Sequence, residues 1–177
     1  MITRILVLFS RWFFPAVQLL NIKQVVSHPK RILIHLPENL EATRFHKIQN
    51  RLKQLFPSSA LHYLINDFFP AEWLQSPTAG RPVGAVHVIR TADIRWVRLL
   101  KEERLDELRS GQFDLAVDFD LRFNLTVAHA FYACGAMITV ALYHPRIQDV
   151  FHNVLIKVSD PLQYDTAVFR LFEQLKT

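Results

Sequence analysis

The chain has one cysteine and four glycines, and acidic residues are missing from its first segment. Cys134 is the only cysteine, so no internal disulfide can form, which fits a reducing compartment. Zinc would have to draw its ligands from the eight histidines, and neither H-x-x-x-H nor C-x-x-C spacing occurs, so no metal is expected. The four glycines, Gly80, Gly84, Gly111 and Gly135, form neither G-x-G-x-x-G nor a Walker A loop. That excludes a classical dinucleotide or P-loop site, and no cofactor is expected. There is no internal repeat and no low-complexity tract.

What is present is apolar. Of 177 residues, half are hydrophobic and 14 are Phe, enough for one domain that buries roughly 70% of its unfolded surface. The net charge of +5 is localised. Residues 1–31 hold Arg4, Arg11, Lys23, Lys30 and Arg31 and no acid, which leaves 16 basic and 16 acidic residues in the remainder. A nucleic-acid binder carries its basic patch on the folded domain, so nucleic acid is not an expected partner.

The sequence divides into a basic, apolar arm, 1–29, and a domain, 30–177. Residues 5–20 read ILVLFSRWFFPAVQLL. Arg4, Arg11 and Gln18 fall on one helical face, a narrow polar stripe on an apolar helix. Arg11 and Pro15 interrupt the run, which falls short of the ~18–20 clean residues of a spanning helix. No small-residue cleavage site precedes Asn21, which argues against a signal peptide. Three readings stay open: a helix packed on its own domain or on a second subunit, an interfacial helix, and a true membrane span. In the second, Trp12, Phe13 and Phe14 enter lipid while Arg4 and Arg11 meet headgroups.

From Arg31 the pattern alternates strand and helix. Strands are predicted at Arg31–Leu36, Ala60–Ile65, Val83–Ile89, Phe113–Phe119, Ala136–Leu142 and Asn153–Val158. Helices are predicted at Glu38–Leu55, from Thr91 or Asp93 through Arg109, at Leu121–Cys134 and at Asp160–Lys176. This order implies a three-layer, Rossmann-like α/β domain with about six mostly parallel strands.

In such sheets ligands sit at the carboxyl ends of strands, which selects the candidate residues. Asp118 and Asp120 end the fourth strand, two apart and so on one face. They suit a sugar-like hydroxyl or a weakly held cation, or alternatively Asp120 caps the next helix while Asp118 accepts loop amides. Glu38, Asn39 and Glu41 follow the first strand, and one of them is a candidate general base toward an acceptor hydroxyl. As plain first-turn acids, the two glutamates would only complement the helix dipole. Arg90 and Arg122 follow strands three and four and could bind phosphate or pair with those aspartates. His144 follows strand five. His35, His62 and His87 lie inside strands and read as core or sheet-face histidines.

The order RILIHLPENLEA, a helix, then LFPSSALHYLI resembles the start of the family-9 glycosyltransferases, the ADP-heptose:lipopolysaccharide heptosyltransferases. GQFDLAVDFDLRFNLTVAHAFYACGAMITVALYHP is similar to their fourth strand, its helix and the strand after it. HNVLIKVSDPLQYDTAVFRLFEQLK looks like the stretch before their second domain. The resemblance covers about residues 30–176. It implies the acceptor-side half of a GT-B fold, binding a sugar or glycolipid in bacterial lipopolysaccharide biosynthesis, and it places Glu41 nearest the family's catalytic aspartate. The chain departs from the family in lacking the Gly-Asp of the first loop and the donor-binding domain. The expectation is therefore a half-domain not catalytic alone, completed by a donor-domain partner chain. The alternative is a non-catalytic scaffold domain held at a membrane surface or in a homo-oligomer. The expected location is the cytoplasm, with a peripheral place at the inner membrane face if the arm binds lipid.

Overall fold

The structure, a computed structural model, describes residues 21–70, 84–145 and 151–177. Arg4, Arg11, Trp12, Phe13 and Phe14 lie outside the described residues. Six strands form one parallel sheet: β1 Arg31–His35, β2 Ala60–Asn66, β3 Ala85–Ile89, β4 Leu115–Asp118, β5 Ile138–Leu142 and β6 Val154–Ile156. Their order is β3-β2-β1-β4-β5-β6, the doubly wound arrangement of a Rossmann-like domain. The helices are α1 Ile22–Ser27, α2 Ala42–Leu55, α3 Glu102–Ser110, α4 Leu125–Ala133 and α5 Tyr164–Lys176.

Strand parity sorts the core into two layers. Ile32, Ile34, Tyr63, Leu115 and Val117 meet Phe45, Ile48 and Leu52 of α2 and Val168 and Phe172 of α5. Leu33, Leu64 and Ala116, of the opposite parity, meet Leu105 and Leu108 of α3 and Val127, Ala130 and Phe131 of α4. Each fully buried Phe, Leu or Ile contributes roughly 1.5–3 kcal/mol, so both faces of the sheet are anchored. Val26 of α1 is fully buried in the first layer, so the chain joins the domain core before β1.

Four helix starts differ from the sequence expectation; the closing helix begins at Tyr164, not Asp160, because Asp160 accepts the Leu162 N–H and caps a 3-10 turn at Pro161–Gln163. The helix after β1, α2, begins at Ala42, not Glu38, because the Leu40 N–H closes a turn onto the Pro37 carbonyl and Glu41 is extended. The helix after β4 begins at Leu125, not Leu121. Asp118 accepts from the Asp120 N–H and Asp120 from the Arg122 N–H, two side-chain turns that hold the backbone out of a helix. Asn124, not Asp120, caps it by accepting from the Thr126 and Val127 N–H groups.

The largest difference is between Thr91 and Arg109. One 3-10 turn at Thr91–Asp93 leads into a tight hairpin in which Ile94 pairs antiparallel with Leu100, and only Glu102–Ser110 is α-helical. The spacing of Ile94, Val97 and Leu100 fits a helix, but α4 supplies better partners. The Thr126 Oγ1 donates to the Arg98 carbonyl at 2.8 Å, and the Leu100 N–H donates to His129 Nδ1 at 3.3 Å. Leu100 is thereby fixed in the second core layer.

Candidate functional site

The strand order reverses between β1 and β4, and there the crossovers leave to opposite faces and open a crevice at the carboxyl edge. The register sets His35, the last residue of β1, against Asp118, the last of β4. Equal parity turns both side chains to the face of α3 and α4. His35 Nδ1 lies 2.7 Å from Asp118 Oδ1, with the two residues 6% and 5% exposed. The same Oδ1 accepts the Asp120 N–H at 2.8 Å. Asp118 is thus a carboxylate held from two sides, and a buried carboxylate with such partners is the stable form of an otherwise costly group.

Beside Asp118, on the β5 and β6 side, is a cavity of about 20 Å³ lined by Asp118, Asp120, Arg122, His144 and His152 among apolar neighbours, room for one water-sized polar group. Burial raises the Asp120 carboxyl above its ordinary value, opposed by the Arg122 N–H it accepts, and the Asp118 charge adds to the rise. His152 is buried with no hydrogen-bond partner on Nδ1, and burial lowers its pKa against the attraction of Asp118. The Arg122 guanidinium reaches Asp120 only at 3.9 Å and is largely exposed.

The structure therefore brings together Asp118, Asp120, Arg122 and His144. Glu38, Asn39 and Glu41 occupy the neighbouring exit of β1, all exposed. Glu38 accepts from Asn66 Nδ2 at 2.8 Å, which ties the ends of β1 and β2, and the Glu41 side chain makes no cap bond. Arg90 follows the edge strand β3, about 10 Å from β1 and about 14 Å from β4 at usual strand spacing, too far to pair with Asp118. Its main-chain N–H bonds to Asp93.

Four contributors escaped the sequence. His35 reads as an ordinary strand histidine, although ending β1 and sharing the parity of Asp118 was a signal. His152 carries no local signature. Arg44 of α2 forks onto both oxygens of Asp165 of α5, 2.7 Å each, and donates to the Phe119 carbonyl at 2.9 Å, behind the aspartate turn. Tyr164 reaches Asp118 from a residue distant in sequence.

A larger groove, about 820 Å³, runs between α2 and α5 past Arg44, Lys47, Arg51, Asp165 and Phe169. Volume alone would make it the default site. Its chemistry argues otherwise, because Arg44 pairs with Asp165 and Arg51 with Glu173 across it. The small cavity holds the less satisfied groups. Among the described residues no cluster of three or more His, Cys, Asp or Glu is placed to hold a metal ion.

A doubly wound parallel sheet with a polar crevice at its switch point defines the chain as a Rossmann-like domain. The crystal structure of the family 9 glycosyl transferase from Veillonella parvula is similar to it, with a TM-score of 0.50 at 15% identity. The match covers 84% of this chain and 42% of that one, so the chain spans less than half the length of the protein it resembles. The fold is glycosyltransferase-like. No family model matches the sequence, and no curated protein is similar to it.

Proposed function

We propose that this domain is the acceptor-side half of a GT-B-type glycosyltransferase. It binds a sugar or glycolipid hydroxyl at the β1/β4 crevice and relies on a separate chain for the donor nucleotide sugar. The observation that carries this reading is the buried His35–Asp118 pair at the switch point. In this reading Asp118 and Asp120 accept hydrogen bonds from the acceptor, and His35 is a positioning residue that fixes the Asp118 rotamer. The cavity admits one hydroxyl, so the sugar ring rests above it against Arg122 and His144. Glu41, exposed and without a cap bond, stands where a longer carboxylate replaces the family's aspartate. Its position one turn beyond the crevice fits a domain that binds without completing the reaction alone.

A thermal-shift screen with sugar phosphates, glycolipid headgroups and nucleotide sugars tests the reading. A ligand at 100 times its Kd stabilises by about 2.7 kcal/mol, which for a domain this size is a rise of about 5–10 °C. An acceptor-class sugar should produce that rise, and Asp120→Asn should remove it. A set in which no sugar shifts the melting point sinks the proposal.

The exposed Glu41 and the first loop without Gly-Asp also favour a second reading, a non-catalytic scaffold domain. That reading expects no sugar-dependent shift and full function of the Asp120→Asn, Glu41→Ala chain in cells.

A further inference from the structure

The hairpin between β3 and α3 has no part in the crevice, yet it is built to present an aromatic side chain. Trp96 is 91% exposed, the most exposed large apolar residue among those described. Its position is fixed. The Arg95 N–H donates to the Leu99 carbonyl at 2.7 Å, the Arg98 N–H to the Arg95 carbonyl at 2.8 Å, and the Lys101 N–H to the Asp93 carbonyl at 2.9 Å. Arg98 sits at φ 61°, a left-handed conformation that a side chain adopts only at a cost, and the Thr126 hydroxyl clamps its carbonyl. Two bonds from α4 therefore hold the hairpin to the rigid domain.

The chemistry around Trp96 is cationic. Arg90, Arg95, Arg98 and Lys101 are all exposed and make no ion pair among the described residues. The one acid of the segment, Asp93, accepts the Arg90 N–H and lies 3.6 Å from Arg104. A second exposed aromatic residue lies in the neighbouring loop. Phe68, 75% exposed, leaves the end of the adjacent strand β2, and the two loops are joined by the Thr91 N–H donating to Asp67 at 3.4 Å.

We propose that this hairpin is an interfacial anchor for an anionic lipid surface, with Trp96 and Phe68 entering at headgroup depth and the four cations meeting lipid phosphates. Protein interfaces gather apolar residues into a contiguous core depleted in charge, whereas here single aromatic studs alternate with cations. That alternation matches the membrane boundary, where Trp is enriched and each nearby Lys or Arg adds to attraction for anionic lipid. No described helix is long and apolar enough to cross a membrane. The anchor rests on observations separate from those of the sugar-binding proposal. It lies on the same carboxyl edge as the crevice, so docking there turns the crevice toward the lipid surface.

The test uses the full chain carrying Trp12→Phe and Trp73→Phe, which leaves Trp96 as the only indole. With phosphatidylglycerol vesicles at low salt, Trp96 emission should move to the blue and be quenched by brominated acyl chains. Pure phosphatidylcholine vesicles should do neither. Arg95→Ser with Arg98→Ser should weaken partitioning about 30-fold, at roughly 1 kcal/mol per cation. These side chains are exposed, so the melting temperature should not change and loss of fold cannot mimic the result. The proposal is overturned if the chain sediments with anionic vesicles while Trp96 emission stays that of water, since the arm alone then binds. It is also overturned if Trp96 responds only to a soluble protein or sugar, or if no vesicle binds the chain.

Discussion

The Tyr164 hydroxyl, at the start of α5, donates to the main-chain carbonyl of Asp118 at 2.8 Å. Tyr164 is completely buried, and burial lifts its phenol well above the ordinary 10, so it stays a donor at working pH. The bond joins the closing helix to the last residue of β4, whose side chain holds His35. The geometry of the crevice thus depends on an element contributed by the end of the chain.

Tyr164→Phe keeps the ring and removes only the donor. It leaves a buried carbonyl unpaired and should cost about 1–3 kcal/mol. Urea denaturation should show a lower midpoint with an unchanged slope. A loss below a few tenths of a kcal/mol would mean that water replaces the hydroxyl.

The His35–Asp118 pair separates charge from shape. Asp118→Ala strips the acceptor from a buried imidazole and from the Asp120 N–H, and should cost about 2–4 kcal/mol for two buried groups left unpaired. Asp118→Asn keeps an oxygen acceptor at nearly the same place and should cost less than half as much. Equal losses in the two variants would show that the carboxylate charge, not the acceptor, holds His35.

Much of this was legible in the chain. The apolar runs of Arg31–Leu36 and Phe113–Phe119 marked two central parallel strands. The hairpin at Trp96 was not legible, because Ile94, Val97 and Leu100 satisfy helical spacing and the deciding bonds come from Thr126 and His129 on another element. His35 was missed because a histidine within an apolar run looks like core. Its role exists only in the cross-strand register with a residue 83 positions away. Periodicity reads one element at a time and carries no such register.

Gly135 follows α4 at φ 68° with open space around its missing Cβ. Only backbone conformation, not packing, resists a side chain there. Gly135→Ala should cost about 1–2 kcal/mol, the left-handed penalty for an L-residue, and Gly135→Asn clearly less, because Asn tolerates that region. Matching losses would point to a clash instead.

Acid should loosen the domain before it protonates the carboxylates. His62, His87, His129 and His152 all have pKa values lowered from 6.5, with burial the largest cause. Between those lowered values and 6.5 the unfolded chain binds more protons than the folded one, so stability rises with pH through that window. The contribution is complete above 6.5 and is lost as pH falls. Asp120, raised from 3.8, has the opposite sign: its folded form holds a proton longer, so it lessens the acid loss nearer that value. His129 gives the effect a place, since its Nδ1 accepts the Leu100 N–H and cannot do so once protonated. Glu102 beside it favours the proton, while Arg109 and Arg95 oppose it. Calorimetry from about pH 8 to about pH 5 should therefore show a melting temperature that is steady above 6.5 and falls as pH drops through the window below it. His129→Gln, which keeps an acceptor without a titrating proton, should shallow that fall, and faster proteolysis at the Trp96 hairpin in acid should disappear with it. A melting temperature that rises on acidification across the same range would reverse the sign and refute the argument.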